Sequence, residues 1–250
     1  MRIKTFTIII SAFILAFASC KKAPLTIGRT VVQNRELEPF DTLVINNDIN
    51  VTLVRSDSCY IEICAGENII DNIITTVDDS ILTIKNDNKI SWIRTYDYRI
   101  DATLHFTDIS KIIFGACGEL HTENQFNAEE SDYTIEVDGG SGDIFMELNN
   151  CERLDINYLY GTSRMNLYGE NNKRLRIHKL DYGLIHAENY DADSVIVTNK
   201  SSGDCWVKAN EHLKSRIDHS GDVYYKGEPV KIIEEYGENA KGRLIKVESL

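Results

Sequence analysis

Proline is nearly absent from this chain, with three among 250 residues. Helix signals are equally scarce. The best short candidate runs from Asn68 to Val77, with Asn68 as its cap. Six cysteines occur but no Cys-x-x-Cys, and Cys59 and Cys64 stand five apart on an apparent strand, so they point to opposite faces. A disulfide framework or a zinc site therefore has little support. The histidines, His105, His121, His178, His186, His212 and His219, form no His-Glu-x-x-His or comparable ligand spacing. Gly140-Ser141-Gly142 lies between strands and not before a helix, so no nucleophile elbow is present. Positive charge is in short supply too: 27 basic residues face 39 acidic ones, a formal net charge of −12. An acidic surface opposes phosphate backbones and anionic headgroups, which argues against a nucleic-acid partner.

What the chain does have is a recurring phrase. Ser141-Gly142-Asp143-Ile144 is followed by Tyr160-Gly161-Thr162-Ser163 and Tyr182-Gly183-Leu184-Ile185, then by Ser202-Gly203-Asp204-Cys205 and Ser220-Gly221-Asp222-Val223. The glycines step by 19, 22, 20 and 18 residues. Strict alternation follows each one. Ile144, Met146 and Leu148 share a face; Ser163, Met165 and Leu167 do the same, as do Ile185 with Ala187, Cys205 with Val207 and Ala209, and Val223 with Tyr225. Period two with one apolar face is a half-buried strand. A second strand precedes each glycine, at Leu154–Ile156, Leu175–Ile177, Val195–Val197 and Leu213–Ser215. The glycine is read as a corner that tolerates positive φ. Repeats of this length cannot bury their own apolar faces and must stack. The expected fold is all-β, a parallel β-solenoid (β-helix-like) with coils of about 20 residues. The alternative is an antiparallel β-sandwich.

The N-terminus reads differently. Arg2 and Lys4 precede an apolar run from Ile8 to Phe17, too short to span a bilayer comfortably. It ends in Phe17-Ala18-Ser19-Cys20, similar to the lipobox at which a bacterial lipoprotein is lipidated, with Phe17 where Leu is usual. Residues 1–19 are read as a signal peptide, Cys20 as the lipidated residue that anchors the chain in a membrane, and 20–38 as a tether. Removing 1–19 takes away two basic residues and no acid, which makes the charge −14. Lys21-Lys22-Ala23-Pro24 lacks an acidic export signal and tilts the expectation toward the periplasm-facing side of the envelope. Residues 39–115 form a β-rich N-terminal part of the solenoid. Residues 116–250 hold the regular coils and closing strands at Val230–Ile233 and Leu244–Val247.

Asn46-Asn47-Asp48-Ile49-Asn50-Val51-Thr52-Leu53, Leu82-Thr83-Ile84, the Ser-Gly-Asp phrases and Ser220-Gly221-Asp222-Val223-Tyr224-Tyr225-Lys226-Gly227-Glu228-Pro229 resemble the DUF2807 family over roughly residues 39–248. Its label is "putative auto-transporter adhesin, head GIN domain". The resemblance implies a secreted or lipidated β-solenoid with an adhesive role and brings no catalytic residues. The chain departs from the phrase at Thr162 and Leu184, where Asp is lost.

Three classes of function follow: an adhesin or glycan- or protein-binding lipoprotein, a structural component of the envelope, and a carbohydrate-active enzyme. The first is preferred. No cofactor and no metal is expected, because one Asp per corner (Asp143, Asp204, Asp222) falls short of the six to eight oxygens that calcium takes. Those aspartates are expected to bond backbone at the turn. Cys205 reads as a buried small hydrophobe. The candidate binding residues are those three positions after each corner glycine: His121, Phe145, Arg164, His186, Trp206 and Tyr224. Stacked about 4.8 Å apart they would form an outward ladder suited to sugars or a protein, or simply a stabilising one. The next outward column, Glu123, Glu147, Asn166, Glu188, Lys208 and Lys226, is polar. Nothing in the sequence sets the oligomeric state.

Overall fold

The structure, a computed structural model, describes residues 26–88, 99–123, 126–129 and 131–248. Cys20 and the signal segment lie outside them. Among the described residues nineteen strands and one 3-10 turn make up the fold. The first half holds β1 (Thr30–Glu36), β2 (Thr42–Asn47), β3 (Asn50–Arg55), β4 (Tyr60–Gly66), β5 (Ile73–Asp78), β6 (Ile81–Asn86), β7 (Asp101–Phe106), β8 (Lys111–Ala116), β9 (Leu120–Thr122) and β10 (Phe126–Asn127). The second half holds β11 (Asp132–Asp138), β12 (Ile144–Asn149), β13 (Arg153–Tyr160), β14 (Arg164–Lys179), β15 (Leu184–Asn199), β16 (Cys205–Ile217), β17 (Val223–Lys226), β18 (Lys231–Tyr236) and β19 (Leu244–Lys246).

Two parallel sheets wrap one interior. Sheet I stacks β6–β2–β8–β11–β13, then the C-terminal halves of β14, β15 and β16, then β18. Sheet II stacks β7–β3–β9–β12, then the N-terminal halves of the same long strands, then β17 and β19. The chain is thus a β-solenoid of about six regular turns with a period near 21 residues. Alternation produces it. Ile144, Met165, Ile185, Cys205 and Val223 are fully buried and stack rung on rung, so each coil closes the apolar face its neighbour leaves open. Cys205 sits there as a small hydrophobe, and burial lifts its thiol to about 12.

The N-terminal end departs from the winding order. The β2–β3 coil lies between the β6–β7 and β8–β9 coils. Antiparallel strands close that end, β5 against β6, and β4 then β1 against β7. Between β4 and β5 the segment read as a helix makes only a 3-10 turn, Ile70–Asn72, with no side-chain cap. Asn68 instead donates to the Thr26 carbonyl at 3.1 Å, and the chain extends at once into β5 because Ile69, Ile70 and Ile73 are all drawn into the core.

The corners have a different reason for glycine than positive φ. Among the five phrase glycines only Gly161 adopts it, at +112°. At Gly142, Gly203 and Gly221 a Cβ would overlap the backbone of the coil beneath, at Gly118, at Tyr182 and Gly183, and at Gly203 respectively. Glycine is required there because successive corners approach backbone to backbone. The corner aspartates carry this stacking upward. Asp204 Oδ1 accepts the Asp222 N–H at 2.8 Å, and Asp222 Oδ1 accepts the Arg243 N–H at 2.8 Å. Each bonds the next coil and not its own turn.

Candidate binding face

The outer face of sheet II carries the candidate column. Pairing across β9, β12, β14, β15, β16, β17 and β19 places His121, Phe145, Asn166, His186, Trp206, Tyr224 and Ile245 in one file. His121, Phe145, His186, Trp206 and Tyr224 stand where the sequence put them. Arg164 does not; it pairs with Leu184, two positions away, and reaches Asp143 at 3.6 Å. The reason lies at its corner. Gly161 packs over Gly139 and Gly140, and Ser163 occupies the stacking position that Gly142 and Gly183 hold in neighbouring coils. The Gly161 N–H is held by Asp181 Oδ2 at 2.8 Å, and Tyr158 Oη donates to the Ser163 carbonyl at 2.8 Å. Counting three residues from Gly161 therefore falls two short.

The rings stack in two blocks. His121 and Phe145 lie 4.7 Å apart at 10°. His186 and Trp206 lie 4.3 Å apart at 7°, and Trp206 and Tyr224 5.1 Å apart at 8°. The Asn166 side chain separates the blocks. Rung spacing fixes the separations, and parallel in-register pairing fixes the tilt. Both faces of Trp206 are covered by its neighbours, so the file presents ring edges and polar tips to solvent. Carboxylates line it. Glu119 meets the His121 ring at 2.9 Å, Glu188 meets His186 at 3.3 Å, and Tyr224 Oη donates to Asp222 at 3.2 Å. Partial burial first, then Asp222 and Asp204, raise the Tyr224 phenol pKa, so the hydroxyl remains protonated. The adjoining column is less uniformly polar than expected. With Asn166 in the ladder, the half-exposed Tyr168 takes its place opposite Glu147, and Lys208 pairs with Asp191 at 2.9 Å.

The interior holds polar groups that the sequence reading passed over. Val137, Tyr158, Lys179, Asn199 and Ile217 form one inward file of sheet I. Lys179 is fully buried and donates to Ser201 Oγ at 2.6 Å. Asn199 Nδ2 donates to the carbonyls of Gly203 at 2.9 Å and Gly221 at 3.3 Å. These side chains brace the corners from inside. Burial lowers the Lys179 pKa, with Cys205 and the nearby aspartates opposing the shift. The file is sealed from solvent and offers nothing to an external substrate. Among the described residues no group of three His, Cys, Asp or Glu side chains is placed to hold a metal ion, and the cysteines are unbridged.

A family model described as "DUF2807: Putative auto-transporter adhesin, head GIN domain" matches residues 39–229. The chain resembles a "putative adhesin" from Bacteroides fragilis of known crystal structure, at 19% identity and TM-score 0.75, covering 89% of this chain and 99% of that one. It also resembles a "putative adhesin" from Parabacteroides distasonis, at 17% identity and TM-score 0.59 over 88% and 98% of the two chains. A "Putative lipid binding protein" from the same organism matches at 17% identity and TM-score 0.62 over 87% and 97%. No curated protein matches. At these identities the structural likenesses establish the fold.

Proposed function

The chain belongs to the DUF2807 family, and on that premise we propose that it is a non-enzymatic binding module of the cell envelope whose ligand face is the outer surface of sheet II. The family name and the names of its neighbours fit a non-enzymatic binding role at the envelope or outside the cell. The observation that carries the finer reading is the edge-on aromatic file bordered by carboxylates. Stacked ring faces are unavailable for sugar CH groups. The edges, the Trp206 indole N–H, the imidazoles and the bordering carboxylates together form a narrow strip of donors and acceptors on a rigid apolar base. Such a strip suits the hydroxyls of a neutral glycan chain lying along the solenoid axis. The carboxylates disfavour an acidic one. The double variant Trp206→Ala/Tyr224→Ala is expected to lose at least about tenfold in binding to cells or neutral polysaccharide while keeping its β-sheet circular dichroism. Undiminished binding by a folded variant would overturn the reading.

Anchoring is part of the proposal. Phe17-Ala18-Ser19-Cys20 supports lipidation at Cys20. Cys20→Ala is expected to move the protein from the membrane to the soluble fraction, and unchanged fractionation would overturn the anchor.

A further inference from the structure

The two ends of the solenoid are finished differently. At the N-terminal end, antiparallel strands β1, β4 and β5 cover the coils. At the other end, β18 pairs only with β16 and β19 only with β17 among the described residues. Among the described residues nothing pairs with the outer edge of β18, a row of backbone donors and acceptors. The residues around it are apolar and exposed: Val230 at 90%, Ile232 at 41%, Ile233 at 37% and Tyr236 at 51%. These values make it the largest run of exposed apolar side chains on a single strand of the described chain. An edge of this kind recruits another strand unless something blunts it.

We propose that the β18 edge is a self-association surface at which a second copy of this chain pairs antiparallel, tail to tail, about a twofold axis through Ile233. The charge pattern selects both the occupant and the register. Along β18 the outward residues are Lys231, Ile233 and Glu235, and the inward ones are Ile232, Glu234 and Tyr236, by their pairing with β16; Val230 lies one residue before the strand. Antiparallel pairing about Ile233 sets Lys231 opposite Glu235 of the second copy, twice by symmetry. It sets Ile232 opposite Glu234 on the inner side of the pair and brings Val230, one residue before the strand, level with Tyr236. Shifting the register by two residues toward the C-terminus would bring Glu234 against its own copy, and a one-residue shift would turn every inward side chain outward. A twofold contact of this kind is closed, so it stops at a dimer and does not grow into a fibre. Lys231 has no ion-pair partner among the described residues, whereas Glu235 meets Lys214 at 2.7 Å and extends that sheet I charge file to the edge. A single strand pairing buries less than the roughly 1,200 Å² of a stable interface, so the dimer is weak and concentration-dependent.

The test is sedimentation velocity of the purified full chain in mild detergent, which holds any N-terminal anchor in monodisperse micelles. Runs span roughly 5 µM to roughly 500 µM, the range in which such an interface titrates. Wild type is expected to shift from monomer to dimer. Lys231→Glu and Glu235→Lys each place like charges opposite one another in both pairs of a homodimer, and each is expected to weaken association at least about tenfold. An equimolar mixture of the two variants restores opposite charges at both pairs and is expected to return to the wild-type constant within about twofold. Recovery on mixing also proves that both variants are folded. A wild type that stays monomeric throughout, association that survives undiminished in both single variants, or a mixture that fails to recover would each overturn the proposal.

Discussion

The outer faces of sheets I and II share one interior and one rung spacing, yet they stack different chemistry. Sheet II files flat rings, with His186, Trp206 and Tyr224 at separations of 4.3 and 5.1 Å. Sheet I files charges. Arg153 meets Asp132 at 2.7 Å, Arg174 meets Glu152 at 2.7 Å, and Lys214 meets Glu235 at 2.7 Å. A parallel in-register stack repeats whatever it is given at about 4.8 Å, so like must tolerate like or alternate with its opposite. Rings tolerate themselves by stacking. Charges need an opposite partner within reach, and along sheet I each of these arginines finds one on the preceding rung, Arg153 at Asp132 and Arg174 at Glu152, although Arg153 and Arg174 are themselves neighbours in register. Away from the β18 edge, sheet II is the face whose outer file is built of aromatic side chains, the kind that serve recognition.

The largest expected effect breaks both faces together. The corner glycines join sheet I to sheet II, and Gly203 stands where a Cβ would meet the backbone of Tyr182 and Gly183 and the buried Lys179 amine. Neither backbone can retreat without lifting a rung from its neighbours. Gly203→Ala is expected to destabilise the protein by about 3 kcal/mol or more, read as a lower urea midpoint with both faces losing order together. Gly139, with nothing within 4 Å of its Cβ position but φ at +135°, separates overlap from backbone strain. Gly139→Ala should cost only about 1–2 kcal/mol.

Sharpening the comparison needs Trp206. Trp206→Ala removes two stacked contacts from sheet II and is expected to cost about 2 kcal/mol. Because stacking is not ionic, the loss should be the same in low and high salt. A cost that shrinks by half in molar salt would mean that the bordering carboxylates, and not the rings, hold the file together.

The interior offers a prediction of opposite sign. Lys179 is wholly buried, with Ser201 Oγ as its hydrogen-bond acceptor. Its folded pKa lies below the ordinary 10.5. The unfolded chain therefore binds the proton more readily, and stability should rise with pH between the folded value and about 10.5. The penalty is complete below the folded value. Lys179→Met is expected to stabilise the protein by about 1–2 kcal/mol at neutral pH and to flatten that rise. Denaturant titrations from neutral to alkaline pH would reveal either outcome, and a destabilised Met variant would mean that the bond to Ser201 outweighs desolvation.

Which parts of this were legible in the sequence follows from what is local. Alternation after each glycine is local, so Ile144, Met165, Ile185, Cys205 and Val223 are each legible as inward-facing, although counting from the glycines lines up Ser163 and not Met165 with the other four. The recurrence itself announced the stack. The Gly161 corner misled because glycine was taken as the landmark, while the stack aligns Ser163 with Gly142 and Gly183. The signal that could have found the shift was Met165-Asn166-Leu167, whose apolar pair aligns with Ile144 and Met146. Lys179 and Asn199 escaped because polar residues are read outward by default, and only the corner carbonyls and Ser201 that they satisfy give them an inward role. The insertion of the β2–β3 coil between later coils was invisible, since parallel pairing leaves no turn signature to fix which rung neighbours which.

The smallest expected effect tests whether the sheet I charges matter at all. Arg174 is half-exposed, and its guanidinium reaches Glu152 at 2.7 Å from the neighbouring rung. Exposed pairs of this kind gain little, because water screens the attraction and two long side chains must be ordered to make it. Arg174→Ala should therefore cost less than about 0.5 kcal/mol at low salt and nothing measurable near 1 M salt, where the Debye length falls to about 3 Å. If neutralising one arginine cost as much as Trp206→Ala, the paired charges would be a cooperative ladder and not a solvated coat. The two faces would then differ in chemistry but not in the stability each lends the stack.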